Sequence, residues 1–209
     1  MSRLIDISPE IHEGIAVFPG DVAFSRNVSL DMKSGDHLTL SSLSGTLHLG
    51  AHADSPSHYL RDGQDIGSRS LEYYIGACDV VDLTRVGNRR ITVDDVAIDR
   101  GWARRVLFRT DSFPDPSSWS DEFTSLSPEL IDALAGRGVC LVGIDTPSID
   151  PSDSKELESH QAVARNDMAI LEGLVLQGVE PGRYELIAPP LKIRGGDAGP
   201  VRAVLRTIG

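Results

Sequence analysis

Hydrophobic positions in this chain fall in short runs. Stretches at Leu4-Ile5-Asp6-Ile7, Cys78-Asp79-Val80-Val81-Asp82-Leu83, Val106-Leu107-Phe108 and Val139-Cys140-Leu141-Val142-Gly143-Ile144 read as strands. Between the last two, Ser127-Pro128-Glu129 supplies a cap, a first-turn proline and a first-turn acid. Leu130, Ile131 and Leu134 follow at helical spacing, and Gly136 or Gly138 ends the helix. A second helix is predicted from about Ser154 to Asn166, with Leu157, His160 or Gln161, and Ala164 on one side. It leads into a strand at Met168-Ala169-Ile170-Leu171-Glu172. Segments 111–120 and 146–154, rich in Pro, Asp and Ser, read as loops, and no internal repeat interrupts the pattern. Such an alternation predicts an α/β or α+β class with a mixed sheet.

At 209 residues the chain suits one domain, 1–209. A formal charge of -11 would repel a nucleic-acid backbone, and the pairs Arg89-Arg90 and Arg104-Arg105 are too isolated to offset it. Cys78 and Cys140 lie inside apolar stretches and allow at most one disulfide, so they read as small core residues in a reducing compartment. Asp6 falls where a signal peptide needs its apolar stretch, and no run of about 18 apolar residues occurs. A cytoplasmic protein with no membrane or nucleic-acid partner is expected.

The segment His48-Leu49-Gly50-Ala51-His52-Ala53-Asp54-Ser55-Pro56-Ser57-His58 concentrates three of the six histidines with an aspartate. In a straight strand, at ~3.3 Å per residue, His48 and Asp54 would stand roughly 20 Å apart, beyond the reach of one ion. The chain is therefore expected to bend near Gly50-Ala51, where glycine tolerates unusual backbone angles. Imidazole with carboxylate suits zinc, manganese or iron, whereas structural zinc sites favour thiolates that two cysteines cannot supply. A lone histidine is more often a hydrogen-bonded core or loop residue. The clustering of four ligand-type side chains, His48, His52, Asp54 and His58, in eleven residues shifts the balance towards a catalytic metal.

This pattern resembles the signature of the cyclase-type metal hydrolase superfamily, His-x-Gly-(Thr or Ala)-His-x-Asp-x-Pro-x-His, here His48, Gly50, Ala51, His52, Asp54, Pro56 and His58. The chain is similar in particular to the bacterial-type kynurenine formamidases (arylformamidases). Phe18-Pro19-Gly20-Asp21, Gly143-Ile144-Asp145-Thr146-Pro147-Ser148, Ser159-His160-Gln161, Leu171-Glu172-Gly173-Leu174 and Asp197-Ala198-Gly199-Pro200-Val201-Arg202-Ala203 carry that likeness. The resemblance implies a swivelling β/β/α fold with a partly barrel-like mixed sheet flanked by helices, a homodimer, and a small-molecule substrate, N-formyl-L-kynurenine. It further implies two zinc ions per subunit, manganese being the alternative. His48, His52 and Asp54 would hold one, and Asp54 would bridge to a second on His160 and Glu172, with His58 as catalytic acid and base. Without the resemblance, Glu172 is one acid among many and His160 a helix-face histidine.

Two positions depart from the pattern. Ala51 stands where threonine is common across the superfamily, and Phe18 where tryptophan usually precedes Pro-Gly-Asp. Phe18 is a candidate substrate-binding residue and equally a packing residue, and the pocket wall is open among Phe18, Tyr59, Leu60 and the Asp145–Pro151 loop. Three competing readings remain: an isatin-type cyclic amide hydrolase with the same metal chemistry, a non-haem iron oxygenase using His52, Asp54 and His160, and a non-catalytic metal module. The oxygenase leaves His48 and His58 without a role. The module needs a closed coordination shell, which carboxylate ligands beside a spare histidine do not favour.

Overall fold

The computed structural model describes residues 2–98 and 101–208. Its strands are β1 (Leu4–Asp6), β2 (Ser25–Leu30), β3 (Leu40–Ser44), β4 (His52–Asp54), β5 (Ile75–Asp82), β6 (Arg90–Ile91) and β7 (Arg105–Arg109). Then come β8 (Ser125–Leu126), β9 (Leu141–Ile144), β10 (Ala169–Leu171), β11 (Gly182–Ile187), β12 (Ala198–Pro200) and β13 (Val204–Thr207). The α-helices are α1 (Pro56–Tyr59), α2 (Pro128–Ala135) and α3 (Glu158–Arg165).

Seven strands form one curled sheet in the order β1-β13-β11-β5-β7-β9-β10. From β1 to β5 the neighbours run antiparallel, and from β5 to β10 they run parallel, which gives the mixed α/β architecture expected. Along the parallel half, alternate side chains enter two different cores. Leu107, Leu141, Ala169 and Leu171 belong to one. Val106, Phe108, Val142, Ile144 and Ile170 belong to the other, together with Leu130, Ile131 and Leu134 of α2 and Ala162 and Val163 of α3. Burial on both faces explains why these strands read as unbroken apolar runs. Each fully buried side chain of this size contributes about 1.5–3 kcal/mol. Cys78 and Cys140 are buried free thiols.

Helix α2 starts where the sequence placed it, with the Ser127 hydroxyl accepting the Leu130 N–H at 3.2 Å and Pro128 in the first turn. Helix α3 is shorter than expected. It begins at Glu158 rather than Ser154, because Leu157 adopts a left-handed backbone at φ 48°. Its first amides, Ser159 and His160, donate to the carboxylate of the distant Asp150. A remote acid thus caps this helix, and a local reading of its boundary cannot anticipate that.

Candidate metal centre

Gly50 takes φ 58°, so the chain turns between His48 and His52 as the spacing requires. Strand β4 then runs between two partners. It pairs with β12 on one side, and on the other His52 bridges Glu172 through backbone hydrogen bonds of 3.1 and 3.0 Å. Strand alternation sends Ala51 and Ala53 into the core and turns His52 and Asp54 the other way. Gly173 follows Glu172 for a steric reason: a Cβ there would lie 2.2 Å from the Gly50 carbonyl oxygen. That oxygen accepts the Nδ1–H of His52 at 2.9 Å, which leaves His52 Nε2 with a free lone pair.

The carboxylate of Asp54 divides its surroundings. Its Oδ1 lies 3.0 Å from His48 Nδ1 and 3.4 Å from His52 Nε2, and its Oδ2 lies 3.2 Å from His160 Nε2. Glu172 spans the two sides, with Oε2 3.4 Å from His52 Nε2 and Oε1 3.5 Å from His160 Nε2. The structure therefore brings His48, His52, Asp54, His160 and Glu172 into one nest. Among its members, His52 Nε2 and Asp54 Oδ1 are buried without a hydrogen-bond partner and face each other. A buried polar atom left unpaired costs about 1–3 kcal/mol. Two electron-rich atoms turned on each other in this way fit a divalent cation between them.

Electrostatics point the same way. Burial alone would lower the pKa of His48, but the Asp54 and Asp197 carboxylates outweigh it and raise it to about 9. Burial also opposes protonation of His160, yet Asp150 and Asp54 lift its pKa to about 10. In return, His160 and His48 overcome the burial that would raise Asp54 and hold its carboxyl well below the usual range. Protons on two histidines thus balance a surplus of negative charge that metal ions would otherwise neutralise. The Nδ1–H of His160 donates to Asp150 Oδ2 at 2.8 Å, the carboxylate–histidine pairing that orients metal ligands.

His58, on α1, lies beside the nest. Its ring centroid is 4.3 Å from that of His48, and its Nδ1 is 3.8 Å from Asp197 Oδ2. Burial, reinforced by the charges of His48 and His160, outweighs Asp54 and lowers its pKa below the usual histidine value. A cavity of about 380 Å³ opens in front, lined by His48, His52, His58, His160, Glu172 and Asp197 on its polar side. Phe18 lines it too, as do Asp145, Pro147, Ser148 and Pro151, whereas Tyr59 and Leu60 do not border it.

Sequence reasoning gave no specific role to four residues around the site, although Asp145 and Asp150 fell within the loop named as a candidate pocket wall. Asp150 fixes His160, and Asp197 accepts from His48 Nε2 at 3.1 Å. Buried Asp145 accepts the amide hydrogens of Thr110 and Asp111, holding Asp111 at φ 52° on the cavity rim. Trp119 borders the cavity from the 111–120 segment. Asp197 and Asp145 each stand in a run that carried the family likeness, which was the available signal. Asp150 was marked only by its place in the candidate wall loop, and Trp119 had no signal.

Residues 5–151 match the family model described as putative cyclase, and the chain belongs to that family. A solved structure described as a potential metal-dependent hydrolase with cyclase activity superposes with a TM-score of 0.85 at 28% identity, covering 100% of both chains. The curated kynurenine formamidase of Sphingopyxis alaskensis is 43% identical over 212 residues, 100% of each chain. Isatin hydrolase A from Labrenzia aggregata, 21% identical with a TM-score of 0.85 over 100% of this chain and 94% of its own, shares the fold. Against the oxygenase reading, the curated relatives are named kynurenine formamidases, and His48 and His58 both border the site.

Proposed function

We propose that this chain is a metal-dependent kynurenine formamidase, releasing formate from N-formyl-L-kynurenine to leave L-kynurenine. Full-length likeness to curated formamidases, over a nest in which His48, His52 and His160 converge on Asp54, carries this reading. Two zinc ions per subunit, or manganese in their place, fit the division of Asp54: His48, His52 and Asp54 for one, and Asp54 and His160 for the other, where the family likeness adds Glu172, which reaches both sides. Ions so held would supply an acidified water, its pKa lowered from ~15.7 towards about 7, and positive charge for the tetrahedral oxyanion.

The chain's own residues manage the proton. His58, its pKa lowered, is neutral at neutral pH and free to accept a proton from the attacking water at Nε2, the nitrogen not turned to Asp197. It returns that proton to the departing aniline nitrogen as the C–N bond breaks. Asp197 holds His48 and lies 3.8 Å from His58 Nδ1. Asp150 fixes His160, and the Gly50 carbonyl fixes His52.

The reading includes one domain over 1–209, a cytoplasmic location and a homodimer. No helix among the described residues is long and apolar enough to cross a membrane. The β2–β3 hairpin leaves Leu43 75% and Leu40 54% exposed, a surface that a second copy would cover. Formate release from N-formyl-L-kynurenine, run beside isatin, before and after chelation and with zinc or manganese restored, tests the function. Release that vanishes on chelation and returns with metal supports it. Opening of isatin without action on the formamide would move the enzyme to a sister activity.

A further inference from the structure

Part of the cavity lining is aromatic. Phe18, Phe113 and Trp119 all line it, contributed by two separate loops. The Phe18 and Trp119 rings meet edge to face with centroids 4.9 Å apart, and Phe113 stands 6.0 Å from Trp119. The indole Nε1–H donates to Asp121 Oδ1 at 2.9 Å, so the ring is aimed before any ligand arrives. The two loops are also tied directly, with the Ala16 N–H on the Pro116 carbonyl at 2.8 Å and Ser117 Oγ 3.2 Å from His12 Nε2. None of the three rings is fully buried, and Phe18 remains 38% exposed, so apolar ring surface is left open for a ligand.

The proposed reaction has one bulky apolar group. The acyl part is only formyl, so the aromatic ring of the leaving amine is the only part of the scissile amide large and flat enough to use such a wall. We infer that Trp119, braced by Phe18 and Phe113, seats the aryl ring of the leaving amine and makes this enzyme selective for aryl over alkyl formamides. Trp119 is a specificity-determining residue here, and Phe18 shares the wall with it. The inference rests on the formamidase reading for its substrate, but the slot itself makes a separate claim about aromatic amines.

The two claims are separated by paired measurements. Trp119→Ala should raise KM for N-formyl-L-kynurenine and formanilide about tenfold with kcat and zinc content nearly kept, leave N-butylformamide unchanged, and be largely rescued by Trp119→Phe. Equal losses on aryl and alkyl formamides, or no loss on either, would overturn it. Binding is read separately by fluorescence, since the chain has two tryptophans and Trp102 does not line the cavity. In Trp102→Phe, L-kynurenine should quench the emission of Trp119, and in Trp119→Phe it should leave that of Trp102 unchanged. Quenching in neither variant, or equally in both, would overturn the slot. Quenching confined to Trp119 in a protein that releases no formate would keep the slot and discard the formamidase reading.

Discussion

His160 and Trp119 border the same cavity and are held in opposite ways. His160 is 2% exposed on a helix, and its ring and its amide both bond Asp150, which is itself fully buried and also engages Ser159 and Arg90. Trp119 lies in a loop, fixed by one hydrogen bond to an exposed aspartate and by ring contacts. Removing any one support of His160 strands a buried charge or polar atom, whereas loosening Trp119 leaves nothing buried unpaired. The ligand nest is over-determined, and the wall is adjustable. Reaction chemistry and substrate choice can therefore change independently in this scaffold, through different residues.

The comparison breaks most severely at Asp54, the group shared by both sides of the nest. Asp54→Ala should lose metal and activity together, with kcat/KM down by roughly 10⁴ or more, checked by elemental analysis beside formate release. His58→Ala should keep its metal and slow turnover by roughly 10² to 10⁴. A fully active His58→Ala enzyme would remove His58 from the mechanism. Asp150→Asn keeps the shape of the support and removes its charge, so metal affinity should weaken about 10- to 100-fold in a chelator competition.

Protonation sharpens the contrast further. Without an ion, His48 and His160 stay protonated up to pKa values of about 9 and about 10. Metal loading near pH 7 should therefore expel about two protons, and affinity should fall as pH falls, because protons compete for the ligand nitrogens. Calorimetry in buffers of different ionisation enthalpy counts the protons, and a pH-independent affinity would contradict the assignment. The smallest effect is expected on the outer face of the same helix. Arg165 pairs with Asp132 at 2.6 Å, both about half exposed, so Arg165→Ala should cost under about 1 kcal/mol of stability and leave metal content unchanged.

How much of this was legible depended on how far apart in sequence the cooperating groups lie. The turn at Gly50 and the candidate ligands His48, His52 and Asp54 were local, and strand spacing demanded the bend if one ion is to reach both ends of the segment. Helix α2 was local too, with its cap, proline and closing glycine in sequence. His160 and Glu172 lie more than 100 residues from Asp54, and only the family likeness singled them out. Asp150 as the cap of α3, and Trp119 against Phe18, arise from loops meeting in space, which leaves no periodic trace. β11 and β13 went unnamed among the expected strands, although both are interior strands of the sheet. The β2–β3 hairpin has no buried face to mark it.

The sheet order also bears on how the molecule reaches this state. β13 sits between β1 and β11, with Leu4 opposite Arg206, and β12 pairs with the strand that carries His52 and Asp54. Contacts of such sequence separation form slowly, because loop closure must precede any reward from pairing, and topologies dominated by them fold on a scale of about milliseconds to seconds. The pairing of β12 with β4 also sets Asp197 beside His48. Ion capture would then be a late event in folding, and a chain stalled before β12 docks would expose three clustered histidines without the geometry to hold a metal.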